Sequence, residues 1–264
     1  MLPIKFYKYQ GTGNDFVLID QRTDMHLTRQ DTPYIAKLCH RRFGIGADGL
    51  ILLQNHSDYD FEMIYFNADG RESTMCGNGG RCIVAFAKAL GIIDQEAYFL
   101  AIDGPHRARI RPDNDWVELQ MIDVPQIEIN TNFYYMNTGS PHYVHFVNNL
   151  PALDVVQHGR TIRYNERFRQ EGTNVNFVQI EADRHLSVAT YERGVEDETL
   201  SCGTGVTAAA LAYALAHPEQ ASRSLCIDTK GGQLEVRFEL TDSGFHNIWL
   251  CGPAEQVFQG EIIL

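Results

Sequence analysis

A chain of 264 residues can bury one large core or two smaller ones, and 44% hydrophobic against 21% charged residues is a globular balance that excludes disorder. The formal charge of −12 argues against general affinity for nucleic acid or an anionic membrane, though not against an anionic substrate held by a local field. No apolar run approaches the ~18 residues of a membrane span, and MLPIKFYKYQ at the N-terminus lacks a signal-peptide core. A soluble cytoplasmic protein is expected, with its six cysteines (Cys39, Cys76, Cys82, Cys202, Cys226 and Cys251) reduced.

In chain order, the aromatic-rich FYKYQ and then DFVLID read as strands around a small Thr12-Gly13-Asn14 turn. DTPYIAKLCHRR reads as a helix, capped by Asp31 or Thr32 with Pro33 in its first turn. Gly44-Ile-Gly-Ala-Asp-Gly49 satisfies GxGxxG, but it follows a helix and precedes the strand GLILLQ. A dinucleotide-binding loop needs the reverse order, so this is read as a turn. After YFNADG, Cys76-Gly77-Asn78-Gly79 leads into GRCIVAFAKALG, a helix apolar nearly all round and stopped by Gly91.

The second half repeats these signals. NFYYMN is a strand before Thr138-Gly139-Ser140, and NFVQIEA, HLSVATYE and GQLEVRFEL are further strands. Cys202-Gly203-Thr204-Gly205 precedes VTAAALAYALA, a second buried helix stopped by His217-Pro218. No GxxxxGK[ST] loop, GxSxG elbow or CxxC pair occurs. His142 and His145 make only an HxxH, taken as accidental within a strand, and no metal is expected.

Sliding the chain on itself by 126 residues superposes Cys76 on Cys202, Asn14 on Ser140 and Asn67 on Arg193. Each small turn then precedes its cysteine by the same 62 residues. Two related α/β halves are expected, meeting near residue 125 without a linker.

A helix N-terminus carries unpaired N–H groups and partial positive charge, so a cysteine there ionises more readily than a free thiol, whose pKa is about 8.5. The glycines let the same N–H groups approach a carboxylate. Two such cysteines on opposite sides of one carbon can invert a stereocentre, one as thiolate taking a proton and the other as thiol returning one. Repulsion between two thiolates makes such a pair titrate as a unit. Cysteines in α/β proteins are usually small core residues, and Cys39, Cys82, Cys226 and Cys251 are read so.

With GTGNDFVLID, FGIGADGL, YFNADG, MCGNGGRC, GSPHYV, TNVNFV, YERG…ETLSCGTG and GPAEQVFQGEI in this order, the chain resembles the diaminopimelate epimerase family along nearly its whole length. The resemblance implies two pseudo-symmetric α/β domains, each a mostly antiparallel or mixed sheet wrapped around a central helix. These are expected at 1–124, with 253–264 returning to it, and at 125–252. It implies Cys76 and Cys202 as acid–base catalysts, with His142 and Glu192 assisting near the α-carbon. Substrate binding is implied for Asn14, Asn67, Asn174, Glu192 and Arg193, and for the backbone of Gly77, Asn78, Gly203 and Thr204.

The expected reaction is interconversion of L,L- and meso-diaminopimelate for lysine and peptidoglycan precursors, with a small-molecule amino-acid substrate and no cofactor. A homodimer belongs to the same expectation, and nucleic-acid and membrane partners do not. The alternatives are racemisation of another amino acid on the same fold, or noncatalytic amino-acid binding or thiol redox chemistry. Three departures from the family stand out: Ser140 where Asn is common, Gly49 where some members carry Gln, and a longer loop from Glu192 to Cys202. Its extra acids, Glu196 and Asp197, are expected to face solvent.

Overall fold

The computed structural model describes residues 3–218 and 224–263; Met1, Leu2, 219–223 and Leu264, the last residue of the expected returning segment, lie outside the described residues. The chain divides into two compact units, Met1–Leu119 with Pro253–Leu264, and Gln120–Gly252. Met121 N–H bonds the Ile248 carbonyl at 2.8 Å and Val124 bridges to Phe245, which attaches this stretch to the second unit. The first unit therefore ends a few residues before 124.

In the first unit, β1 (Ile4–Gly11) and β2 (Asn14–Asp20) form a hairpin, with Thr12 and Gly13 both at positive φ. α1 (Thr32–Cys39) crosses to β3 (Gly49–Gln54), parallel to β2, and β4 (Phe61–Asn67) returns antiparallel. α2 (Gly77–Ala89) crosses to β5 (Glu96–Ala101), parallel to β4; β6 (Gly104–Ile110) and β7 (Val117–Gln120) follow antiparallel.

The second unit repeats the plan. β8 (Glu128–Ile129) pairs with β9 (Tyr134–Asn137), and β9 with β10 (Pro141–Phe146), both antiparallel. α3 (Val155–Arg163) leads to β11 (Asn174–Ala182), parallel to β10, and β12 (His185–Glu192) returns antiparallel. Past the short β13 (Asp197–Thr199), α4 (Gly203–Ala216) leads to β14 (Ser224–Thr229), parallel to β12, and then to β15 (Gly232–Thr241) and β16 (Gly244–Gly252). The last strand, β17 (Glu255–Ile262), pairs with β1 as β8 pairs with β9.

Each unit wraps its strands around one helix. α2 packs on β1, β2, β3, β6 and β17, and α4 on β9 to β12 and β14 to β16. That surrounding explains why α4 is apolar on every face rather than along a stripe; α2, expected to be apolar nearly all round, instead buries Asn78 and Arg81 and carries Lys88 in its last turn. The other helix of each unit lies outside its strands: α1 buries Ile35, Leu38 and Cys39 on Val17, Ile19, Leu50 and Leu52, and α3 buries Val155 near Phe177 and Tyr191.

Three sequence expectations need correction. α1 stops at Cys39 because residues 44–47 fold back on it, Ile45 N–H bonding the Leu38 carbonyl and Ala47 N–H that of Cys39, each at 2.9 Å. A Cβ at Gly44 would collide with the Lys37 carbonyl oxygen, which is why glycine stands there. Asp31 holds the cap position, but its carboxylate takes the Thr28 N–H and hydroxyl, both at 2.8 Å, in place of a helix N–H. Cys226 is not a core residue: on β14 the inner side belongs to Leu225 and Ile227, leaving Cys226 half-buried on the outer face.

α3 had no counterpart in the expected elements, since β-branched Val155, Val156, Thr161 and Ile162 and the central Gly159 are weak helix formers. Gly159 sits where a Cβ would collide with the Tyr191 side chain of β12. Gly159→Ala should therefore lower the urea unfolding midpoint by the equivalent of about 1–3 kcal/mol, the usual result of overpacking. An unchanged midpoint would show that this contact yields freely.

Candidate active site

Each central helix begins on a cysteine. Cys76 is the extended N-cap of α2, and its Sγ accepts the Gly79 N–H at 3.1 Å while its carbonyl accepts Gly80 N–H at 2.8 Å. A Cβ on Gly79 would stand 3.1 Å from that sulfur, tighter than ordinary contact. The cradle is braced from behind by Arg81, which is fully buried. Its guanidinium donates to the Gly77 and Pro253 carbonyls, the Thr12 hydroxyl and Asn78 Oδ1 at 3.1–3.4 Å. Asn78 Nδ2 donates to Asn14 Oδ1 at 3.2 Å, and Asn14 Nδ2 to Asp48 at 2.7 Å. One polarised chain thus joins the Thr12-Gly13 turn to the cysteine loop.

Cys202 is the extended N-cap of α4 and is buried, with Sγ 3.5 Å from the Thr204 hydroxyl. Here the brace is Thr207, which takes the place of Arg81 in the 126-residue register and bonds the Gly203 carbonyl at 2.9 Å, as Arg81 bonds Gly77. Thr138, in the second small turn, donates to the Thr204 carbonyl at 2.8 Å. His142 is fully buried, with Nε2 2.8 Å from Thr204 Oγ1 and Nδ1 3.0 Å from Asn176 Nδ2. Burial, with the charge of Arg193 in support, lowers its pKa from 6.5 to about 3, so the ring is neutral. His145, three residues on, projects to the other side and meets the Asn132 carbonyl; the HxxH is no ligand pair.

Asn174, also buried, accepts Arg193 N–H at 2.8 Å and donates to the Ser140 hydroxyl at 2.7 Å and the Pro141 carbonyl at 3.2 Å. Ser140 is therefore bonded directly despite its short side chain. Arg193 is exposed, its guanidinium directed to the Glu171 carbonyl at 3.0 Å. Glu192 ends β12, half-buried, and its carbonyl accepts Glu196 N–H at 2.8 Å. Glu196, expected to face solvent, is only partly exposed, with 31% of its side-chain surface accessible. It accepts from Tyr164, Tyr191 and Gly194 at 3.0–3.1 Å and lies 3.4 Å from Arg163, pinning the long loop to α3. Burial alone would raise its pKa, but these partners hold it below the ordinary value. Asp197 is exposed, as expected.

In the first unit, Asn67 is exposed at the end of β4, and its Oδ1 accepts the Tyr65 hydroxyl at 2.9 Å. Gly49 pairs with Asn67 across the ladder, and a Cβ there would come within 2.6 Å of the Tyr65 ring and the Phe66 carbonyl. Glycine at 49 makes room for that phenol, which explains the departure from Gln. The residues missed by sequence reading are Arg81, Asn176, Thr190 and Thr207. A buried arginine or asparagine inside an otherwise apolar run was their only signal.

Among the described residues, three donor atoms suited to a metal ion, from His185, Cys226 and Asp228, lie within 4.8 Å of one another on β12 and β14. His185 already pairs with Asp228 at 2.6 Å, and no residue of the cysteine loops is among them. A concavity of about 590 Å³ in the first unit, lined by Lys8, Asp15, Arg41 and Phe258, likewise includes none of the candidate residues. Its charges are spent on each other, Asp15 holding Lys8 and Arg41 at 2.7–2.8 Å. No helix among the described residues is long and apolar enough to cross a membrane.

A sequence model of the family described as diaminopimelate epimerase matches residues 6–126 and 134–256. The diaminopimelate epimerase of Flavobacterium psychrophilum is 54% identical over 98% of this chain and 100% of its own length. That of Chlorobaculum tepidum is 43% identical over 96% and 99%. Among solved structures, a Bacillus anthracis phenazine biosynthesis protein of the PhzF family superposes with a TM-score of 0.78 at 13% identity, over all of both chains. A hydroxyproline epimerase from Agrobacterium vitis superposes at 0.70 and 14% identity, over 98% and 92%. These two show the fold alone.

The buried imidazole sets a measurable pH dependence. Below its ordinary pKa of 6.5 the unfolded chain binds a proton that folded His142 refuses until about pH 3. Its contribution to stability is complete above 6.5 and is lost as pH falls through that window. The melting temperature should drop across it, and His142→Asn should flatten the drop. An equal slope in both proteins would mean that other groups govern the acid limb.

Proposed function

The chain belongs to the diaminopimelate epimerase family, and from that membership we propose that it interconverts L,L- and meso-diaminopimelate with Cys76 and Cys202 as the two proton-transfer groups. The observation that carries this reading is the repeated one: in each unit a cysteine stands at the N-cap of the wrapped helix, where the first-turn N–H groups converge. One thiolate removes the α-proton and the other thiol delivers a proton to the opposite face. Each turnover leaves the two protonation states exchanged, so the reverse reaction uses the same pair. No electron sink beyond the protein is required by this scheme; the helix N-termini stabilise the charge that develops toward the carboxylate.

The remaining roles follow the chemistry of a substrate with two amino-acid ends. The backbone N–H groups of Gly77, Asn78, Gly203 and Thr204 suit the reacting carboxylate, and His142 and Glu192 assist near the α-carbon. Arg193 can hold the distal carboxylate by a bidentate contact, with Asn14, Asn67, Asn174 and Glu192 serving the ammonium groups and their neighbours. Asn78 and Asn174 also shape their loops through the bonds already described. The product feeds lysine and peptidoglycan precursors; a cytoplasmic homodimer belongs to the same reading.

The first experiment is solvent deuterium incorporation followed by mass spectrometry, using reduced, metal- and cofactor-free protein with L,L-diaminopimelate. One deuterium at a single α-carbon together with meso product is expected. Exchange with another amino acid but not with diaminopimelate would transfer the chemistry to a different racemase, and no exchange with any would favour a binding or thiol redox protein. Cys76→Ala and Cys202→Ala should each abolish turnover without unfolding the chain. The pH–rate profile should be bell-shaped, since both thiolate and thiol are needed; a profile flat at either side contradicts the pair.

A further inference from the structure

The positions of His142 and Asn176 have apolar counterparts in the first unit. β2 pairs with β3 as β10 pairs with β11, and in that register Phe16 faces Gly49 as His142 faces Asn174. Two residues along, Ile51 answers Asn176. Phe16 and Ile51 are fully buried and apolar, whereas His142 and Asn176 are fully buried and polar. The contrast continues at the first helical turn: Gly79 faces Ile51 and Met63, whereas Gly205 faces Asn176 and Thr190. The fold therefore does not demand polar groups at this place, and burying them is unfavourable unless each is bonded.

The bonds of the second unit's network constrain one another; Asn174 Nδ2, 3.5 Å from His142 Nε2, has its two protons directed to the Ser140 hydroxyl and the Pro141 carbonyl. The Tyr143 carbonyl can only accept, so the amide nitrogen of Asn176, 3.0 Å away, faces it, while Asn176 Oδ1 accepts the Thr190 hydroxyl at 2.9 Å. The same nitrogen donates to His142 Nδ1. In a neutral ring the proton is then on Nε2, which donates to Thr204 Oγ1 at 2.8 Å. Either atom of the Thr204 Oγ1–Cys202 Sγ contact at 3.5 Å can donate, but once the sulfur is a thiolate it can only accept, and the Thr204 hydroxyl proton then points at it.

We infer that Asn176 is a positioning residue which, through His142 and Thr204, aims a hydroxyl proton at the Cys202 sulfur and holds it ready as the anion. Cys76 receives its donor from the backbone instead, through Gly79 N–H. His142 in this arrangement is a fixed donor and exchanges no proton with substrate. The inference rests on the reading of Cys202 as a proton-transfer group, but it concerns the thiol itself.

The test is alkylation of the reduced protein by iodoacetamide, with the rate at each cysteine resolved by peptide mass spectrometry. Asn176→Asp presents a carboxylate that takes the Nδ1 proton, turning Nε2 into an acceptor and drawing the Thr204 hydroxyl away from sulfur. Thr204→Val removes the hydroxyl outright. Both should slow Cys202 by about three- to tenfold while Cys76 keeps its rate, because a lost donor lowers the thiolate fraction more than it raises intrinsic nucleophilicity. Thr204→Ser should restore it. An unchanged Cys202 rate, or equal slowing of both cysteines, overturns the inference, and the Thr204 pair decides alone if Asn176→Asp does not fold. Turnover by the unsubstituted protein is read separately. Its absence overturns the epimerase reading only, and the alkylation ratio still decides the network.

Discussion

A helix wrapped by strands buries most of its first turn, and this constraint governs both halves of the chain. The first N–H groups of α2 and α4 must bond something brought to them. In α2 the Cys76 sulfur answers one of them, the N–H of Gly79. The glycines follow from the same constraint. At Gly79 a side chain would crowd the capping sulfur, and at Gly205 it would crowd the buried amide behind it. So does the small turn of each half, which reaches the first-turn backbone or its brace, Thr138 bonding Thr204 directly and Thr12 bonding Arg81.

Duplication supplied two copies of this arrangement, and divergence made them unequal. The carbonyl at the first turn is held by a buried guanidinium in one half and by a threonine hydroxyl in the other. Where the first half packs Phe16 and Ile51, the second places His142 and Asn176 in a hydrogen-bond network. Pseudo-symmetry gives the two thiols a common backbone setting, and side chains then individualise them.

Much of this was legible in the sequence because it depends on local signals. Cys-Gly-x-Gly before a largely apolar helix marked both caps, and the constant spacing from turn to cysteine marked the repeat. GxGxxG was correctly set aside by element order alone. What escaped was whatever depends on distant partners. α3 is built from residues that favour strands and is held by its packing on Tyr191. Arg81 and Asn176 look like ordinary polar residues until segments distant in the chain converge on them. Glu196 looked like a solvated acid because the tyrosines that claim it come from two other elements.

The closing strand of the first unit lies beyond the whole of the second in the chain. A ribosome therefore delivers every strand of the unit carrying Cys202 before Pro253, whose carbonyl Arg81 bonds, and before β17, which pairs with β1. Until then the guanidinium beneath the Cys76 loop lacks one of its acceptors, and β1 has an unpaired edge. Vectorial synthesis thus orders the assembly of two nearly equivalent sites: the later half of the sequence is complete first, and the earlier half matures last.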